Sequence, residues 1–342
     1  MASFLPAASM FSLLPLLLLL LSATYAAARP ACNADDKKAL LAVKSYFRDP
    51  EILADWTADA DCCAWDRIQC DDDSGRIVYV SIDGSPTLSG SLPEAISDLP
   101  FLRVLYIADL PLLTGPIPQF LTRLRRLNNL ILRNTSLSGP IPAFLSQITT
   151  LKLLDLSHNT FTGSIPPDLS LLCGLGDLLL SNNRLTGEIP ASFGSFRIAS
   201  PPQLDLSNNL LSGEIPAELG RPEWGYIDLS NNRRLEGDAS VLFGAAKGTT
   251  RMNLSGNRFR FDLSRVSFPT GLGFLYLSRN EINGSIPAQI NQLEHLTVLN
   301  LSDNKLCGEI PQGPVTGKFG KEAYQGNSCL CGLPLGPCPQ SG

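Results

Sequence analysis

The chain has 342 residues, with 27 Lys plus Arg against 32 Asp plus Glu, for a formal net charge of −5. An apolar fraction of 44% is enough for a core and excludes general disorder, and the acidic balance without any basic run excludes a nucleic-acid backbone as the main partner. Only His158 and His295 are present, which leaves little for a histidine metal site or a histidine-based catalytic relay.

Residues 1–28 contain no Lys, Arg, Asp or Glu and carry the apolar run Leu13 to Leu21, broken once by Pro15, before Ala26-Ala27-Ala28. This predicts a secretory signal peptide cleaved near Ala28. The run is too short for a membrane span of ~20 residues. No later stretch is long enough either, so the expected protein is secreted and has no membrane partner.

Residues 29–75 read as an N-terminal cysteine-containing cap. Asp35 to Lys44 predicts a helix with an acidic start, and Trp56 and Trp65 flank the cysteines as covers for the first repeat. Of nine cysteines, Cys32, Cys62, Cys63 and Cys70 lie here, and Cys307, Cys329, Cys331 and Cys338 lie near the C-terminus. Each set allows three connectivities. Adjacent Cys62-Cys63 and Cys329-x-Cys331 are too tight for ordinary disulfide geometry. Cys32–Cys62 with Cys63–Cys70, and Cys307–Cys329 with Cys331–Cys338, are plausible sets. Zinc is the rival, but the spacings lack the two-residue separation of common zinc knuckles and a secretory route favours oxidation. Cys173 is left over, expected as a partly buried free thiol.

From 76 to 311 one phrase recurs, as Leu154-Asp-Leu-Ser-His-Asn159, Leu204-Asp-Leu-Ser-Asn-Asn209 and Leu299-Asn-Leu-Ser-Asp-Asn304. Its first apolar position falls at 80, 105, 130, 154, 178, 204, 227, 252, 275 and 299. Ten copies at a period near 24 predict a leucine-rich-repeat array. Alternation puts the leucines on one face of a short strand, and units must stack to share a core. The asparagine stands where the chain turns, with an amide suited to unpaired backbone groups. A second phrase, L-x-G-x-I-P, follows in most copies, as in Leu137-Ser-Gly-Pro-Ile-Pro142. Its glycine permits a backbone conformation other residues avoid, and its proline fixes φ and cannot donate to a ladder. The expected fold is α/β: a leucine-rich-repeat solenoid, curved as a right-handed superhelix. It has a parallel β-sheet on the concave face, short 3-10 or α turns on the convex face, and disulfide-stapled caps, with 312–342 closing the far end.

L-x-G-x-I-P within a 24-residue repeat resembles the plant extracellular leucine-rich repeats. Leu235-Glu-Gly-Asp-Ala-Ser-Val-Leu-Phe-Gly244, Phe261-Asp-Leu263 and the ending Asn327-Ser-Cys-Leu-Cys-Gly-x-Pro-Leu335 are similar to plant polygalacturonase-inhibiting proteins over roughly 32–338. The resemblance implies a monomeric defence protein of the plant cell wall. It would bind fungal endo-polygalacturonases, slow pectin cleavage, and possess neither cofactor nor catalytic activity. It also implies the two disulfide sets named above.

Residues between and beside the leucines face outward, ~4.8 Å apart in successive repeats. The middle column includes Asp155, Asp205, Asp228, Asn253, Tyr276 and Asn300, with Asp177, Tyr226 and Phe274 just before it. A polygalacturonase holds a polyanion, so its cleft is expected to be basic. An acidic strip with aromatic anchors complements it. Thr250 and Arg251, in the eighth repeat on the same face, are expected to tune specificity. Paired aspartates also suggest glycosidase chemistry, but a shallow face offers no cavity to raise an acid's pKa. Family members owe pectin contacts to basic concave residues. In the column before the asparagine only Arg279 is a firm cation, so at most a weak association with pectin or the wall is expected. Sequons stand at Asn134, Asn253, Asn283 and Asn300. Asn283 is favoured and Asn134 is second, because glycans at Asn253 or Asn300 would obstruct the concave face. The alternative function is a soluble module holding a peptide or receptor ectodomain in developmental signalling.

Overall fold

The computed structural model describes residues 30–196 and 202–339, so the signal peptide expected over 1–28 lies outside the described residues. The repeat phrase sets the sheet directly. Val80, Leu105, Leu130, Leu154, Leu178, Leu204, Ile227, Met252, Leu275 and Leu299 are successive Cα partners in one parallel ladder. None of these side chains is more than 5% exposed. Each contributes about 1.5–3 kcal/mol by leaving water, and only because its neighbours do the same. Ile68–Cys70 adds an antiparallel strand at the N-terminal edge.

The proline of I-P, or of Leu92-Pro93 in the first repeat, has a local task. Pro93, Pro118, Pro142, Pro166, Pro190, Pro216 and Pro287 each stand at the N-cap of a short 3-10 helix, for example Ala143–Gln147 after Pro142. Their fixed φ suits that entry and their missing N–H is not needed there. These helices form the convex side. Between them and the concave sheet, the L-x-G phrase forms a second row of short parallel strands, which turn chemistry alone did not predict. Ser138 pairs with Thr160, Thr162 with Arg184, Ser212 with Arg234 and Glu236 with Arg258. Strands this short, some with a glycine at positive φ such as Gly163 at +77°, carry almost no alternation signal.

The asparagines stitch the repeats together. The Asn209 Nδ2 donates to the carbonyls of Leu206 and Ser207 in its own turn and to that of Leu180 one repeat earlier, at 3.0–3.1 Å. Its Oδ1 accepts from the Leu185 amide at 3.0 Å. Asn159, Asn183, Asn232, Asn257, Asn280 and Asn304 repeat the pattern. A buried donor or acceptor left unmade would cost about 1–3 kcal/mol, so the ladder holds neighbouring turns in register.

The first helix, α1 (Ala34–Tyr46), is capped by the Asn33 side chain, which accepts from the amides of Asp35 and Asp36. Asp36 is fully buried and takes a fork of bonds from Arg76, at 2.9 and 2.6 Å, plus the Ile77 amide at 2.9 Å. This ties the cap to the first concave strand. Trp56 and Trp65 are buried and stacked, with centroids 5.6 Å apart. The disulfides are Cys32–Cys62, Cys63–Cys70, Cys307–Cys329 and Cys331–Cys338. At the far end Asn327–Cys331 pairs with Asn304–Glu309, and Asn327 extends the asparagine ladder through Leu301. The C-terminal cap therefore begins as one more partial turn. One expectation is overturned. Cys173 is free, as read, but exposed rather than partly buried, because it lies in the segment that leaves the 3-10 helix Pro167–Leu171 on the outer side.

Candidate concave binding surface

Short strands fix the columns of the trough. Asp177, Gln203, Tyr226, Arg251, Phe274 and Val298 form one row of Cα partners, and Asp155, Leu179, Asp205, Asp228, Asn253, Tyr276 and Asn300 form the next. All nine residues expected to contact a partner therefore lie in or beside these two rows, with Thr250 just ahead of Arg251. The distribution is uneven. Asp155 is only 6% exposed and Asp228 9%, while Asp177, Asp205, Tyr226, Phe274 and Tyr276 are half-buried and Thr250 and Arg251 are exposed.

Local bonding explains the difference. Asp155 Oδ1 accepts from the Ser157 amide at 2.9 Å and its Oγ at 2.6 Å. Asp205 does the same with Ser207, at 3.0 and 2.7 Å. Asp228 accepts from the Ser230 amide at 2.8 Å, from Asn253 Nδ2 at 2.9 Å and from Tyr226 Oη at 3.3 Å. These are Asx-type turns, in which a carboxylate or amide holds the backbone two residues on. The recurrent Asp/Asn-x-Ser spacing was the signal that could have identified them. Asp155 is thus chiefly a turn residue, whereas Asp177 and Asp205 remain accessible as charges.

Among the described residues, no Lys or Arg forms an ion pair with Asp177, Asp205 or Asp228. Burial pushes the Asp205 carboxyl above its ordinary value of 3.8, with the adjacent Asp228 charge adding to it and the Ser207 bonds opposing it. Burial alone raises Asp177. Tyr226 is raised strongly, first by burial and then by Asp205 and Asp228, so its hydroxyl stays a hydrogen-bond donor.

Beside the acids the surface dips. Tyr226, Asp228, Arg251, Met252, Asn253, Phe274 and Tyr276 line a depression of about 290 Å³. A neighbouring one of about 500 Å³ is lined by Gln203, Gly225, Tyr226, Gly248, Thr250 and Arg251. The Arg251 guanidinium stands 4.7 Å from the Phe274 ring centroid, within cation–π range. Gln203, Met252 and Asn253 were not singled out as binding residues, because their types carry no signal without the pocket.

The column before the ladder asparagine is set by the backbone. Asp109, Asn134, His158, Asn182, Asn208, Asn231, Gly256, Arg279 and Asp303 all have φ between +48° and +70°. This left-handed conformation favours Asn, Asp and Gly, so the scarcity of cations there follows from geometry, and Arg279 is the unusual member. The sequons also separate. Asn253 donates its Nδ2 to Asp228 and accepts at Oδ1 from the Ser255 amide, Asn300 Oδ1 accepts from the Ser302 amide, and Asn134 donates to Asp109 at 2.6 Å. Asn283 is exposed beside the second row of strands.

Residues 33–71 match the family model for a leucine-rich-repeat N-terminal domain, and 150–172, 174–196, 203–221 and 295–315 match the leucine-rich-repeat model. A polygalacturonase inhibitor of Pyrus communis is 53% identical over 325 residues, covering 95% of this chain and 97% of its own. One of Vitis vinifera is 54% identical over 307 residues, covering 90% and 91%. Among solved structures, a plant ice-binding protein matches with a TM-score of 0.88 at 44% identity, covering 92% of this chain and all of the other.

Proposed function

The chain belongs to the plant polygalacturonase-inhibitor family, and from that premise we propose that it is a secreted cell-wall protein that binds and inhibits fungal endo-polygalacturonases through its concave face. The observation that carries this is the acidic strip Asp177–Asp205–Asp228, without a Lys or Arg ion-pair partner among the described residues, beside Tyr226, Phe274 and Tyr276. An enzyme that holds a polyanionic substrate presents cations around its cleft. Charges of opposite sign speed encounter, and buried aromatic rings supply most of the affinity. Thr250 and Arg251 are exposed at the edge of this patch, which supports their discriminating among enzymes. Asp155, held inward by Ser157, contributes chiefly by shaping the strand end.

The chain itself is not proposed to catalyse. Asp155, Asp205 and Asp228 hold turn amides, and these carboxylates and Asp177 lie on an open face rather than in the enclosed acid–base pair that glycoside hydrolysis uses. The described residues include no helix long and apolar enough to cross a membrane. A glycan at Asn283 would sit clear of the trough, whereas one at Asn253 or Asn300 would break contacts within it. Any pectin contact is weak and centred on Arg279.

Release of reducing sugar by a panel of fungal endo-polygalacturonases, with and without the purified protein, tests the proposal. At least one enzyme is expected to slow, and to slow less with Asp177→Lys. Undiminished rates across a broad panel would remove the proposal.

A further inference from the structure

The depression lined by Tyr226, Asp228, Met252, Asn253, Phe274 and Tyr276 has a chemistry more specific than an acidic strip. Aromatic side chains from two strands, Tyr226 on one and Phe274 and Tyr276 on the other, share this depression with a carboxylate, the strand Arg251–Asn253 lying between them. Tyr226 and Phe274 lie either side of Arg251 in one row, and Tyr276 lies two strands from Asp228 in the other. Met252, 1% exposed, closes the floor. Asp228 keeps its place through three neutral donors, namely the Ser230 amide, Asn253 Nδ2 and Tyr226 Oη, and among the described residues no ion pair compensates its charge. A carboxylate in a depression lined by aromatic rings is a receptor for a cation.

The bonding of Asp228 also selects the kind of cation. A carboxylate offers about four lone-pair sites, and three are taken. A guanidinium fork needs two parallel acceptors, whereas an ammonium can approach the one that remains. The Arg251 guanidinium already rests on Phe274 at the mouth, 4.7 Å from its centroid, so one of the three rings already holds a cation. Arg251 is exposed and on a flexible stem, so it can yield that ring to another.

We propose that this pocket receives a lysine side chain of the bound polygalacturonase, its ammonium set between Asp228 and the rings of Tyr226, Phe274 and Tyr276. The inference rests on the proposed function, and it names the single contact expected to carry most of the affinity at the acidic end of the trough. Arg251 acts as a resident cation that the incoming lysine displaces.

The test uses a fungal polygalacturonase that the wild-type chain inhibits, prepared with its lysines untreated, dimethylated (charge kept) or acetylated (charge removed). Wild-type protein is expected to bind the acetylated enzyme roughly 10- to 30-fold more weakly than the untreated one, the range for losing a desolvated cation–π contact, and to retain the dimethylated enzyme. Tyr276→Ala, with an unchanged unfolding midpoint, is expected to erase that discrimination. Equal binding of acetylated and untreated enzyme, or equal discrimination by Tyr276→Ala and wild type, overturns the proposal. A second arm needs no enzyme. Butylammonium, but not butanol, is expected to shift the ring resonances of Tyr226, Phe274 and Tyr276 saturably. Identical responses to both count against the pocket even if inhibition is found, and a selective response supports it even if no tested enzyme is inhibited.

Discussion

Asp205 Oδ1 accepts both the backbone N–H of Ser207, at 3.0 Å, and its hydroxyl, at 2.7 Å. The charge that faces the trough is therefore also a fastening of the turn just beyond the strand. Asn253 makes the same pair of contacts with Ser255, at 3.1 and 2.7 Å. The turn needs the oxygen. It does not need the charge.

That separation predicts the behaviour of Asp205→Asn. The amide keeps the Ser207 contacts, as Asn253 does with Ser255, but removes a charge that burial and Asp228 disfavour. Because the folded-state pKa of Asp205 lies above the unfolded one, its ionisation opposes folding at neutral pH, and that penalty fades as pH falls through the raised value. Thermal unfolding should show the variant more stable than wild type at pH 7. The gain should shrink on acidification and be gone below the ordinary carboxylate value of 3.8. Inhibition should weaken at the same time. A variant less stable at pH 7 would show that the carboxylate, not just its oxygen, holds the turn.

Asn232 is wholly buried, donates to the Leu206, Leu229 and Ser230 carbonyls at 2.9, 3.1 and 3.4 Å, and accepts from the Leu211 amide at 3.1 Å. Asn232→Ala leaves these groups unpaired in two adjacent repeats, an expected loss of about 2–4 kcal/mol. Urea unfolding should show a lower midpoint. A change under about 0.5 kcal/mol, the scale of an ordinary surface substitution, would mean water replaces the amide.

Arg279, at φ +56°, occupies the conformation where its column otherwise holds Asn, Asp, His or Gly. Left-handed backbone costs a residue with a Cβ about 1–2 kcal/mol, and Asn less because its side chain bonds locally. Arg279→Asn should therefore stabilise by up to about 1 kcal/mol, whereas Arg279→Ala, which keeps the Cβ, should not. Sedimentation with soluble pectin gives a second readout, since the arginine is the one cation of that column and its loss should reduce retention.

Arg76 is the partner of a fully buried carboxylate at the junction of cap and repeats. Removing one member of such a pair strands the other, typically at about 3–5 kcal/mol. Arg76→Ala should lower the melting temperature and open α1 to hydrogen exchange before the central repeats. Uniform exchange along the solenoid would place the cap and repeats in one cooperative unit.

The stacking register was legible in the sequence because it is a matter of periodicity. Leucines two apart, an asparagine three beyond and a return every two dozen residues leave one way to pair strands so that each apolar side chain meets another. The cap cysteines were legible in part, since spacing narrowed the pairings without choosing among them. Identity along the chain did not reveal which polar residues are free. Asp155 and Asp205 carry the same D-x-S spacing, yet one is closed off beside its neighbours while the other stays open. The second row of strands was hidden because segments of two to five residues show almost no alternation.

What the sequence determined by itself was the repeating unit, and with it the concave sheet and the order of residues along it, because local alternation and burial act within and between adjacent copies. What only the tertiary structure decided was the chemistry of the trough: which carboxylates fasten turns, which have no ion-pair partner among the described residues, and where three aromatic residues line one depression with Asp228. Those depend on distances between side chains from different repeats, set by the packing of the whole stack and carried by no single phrase.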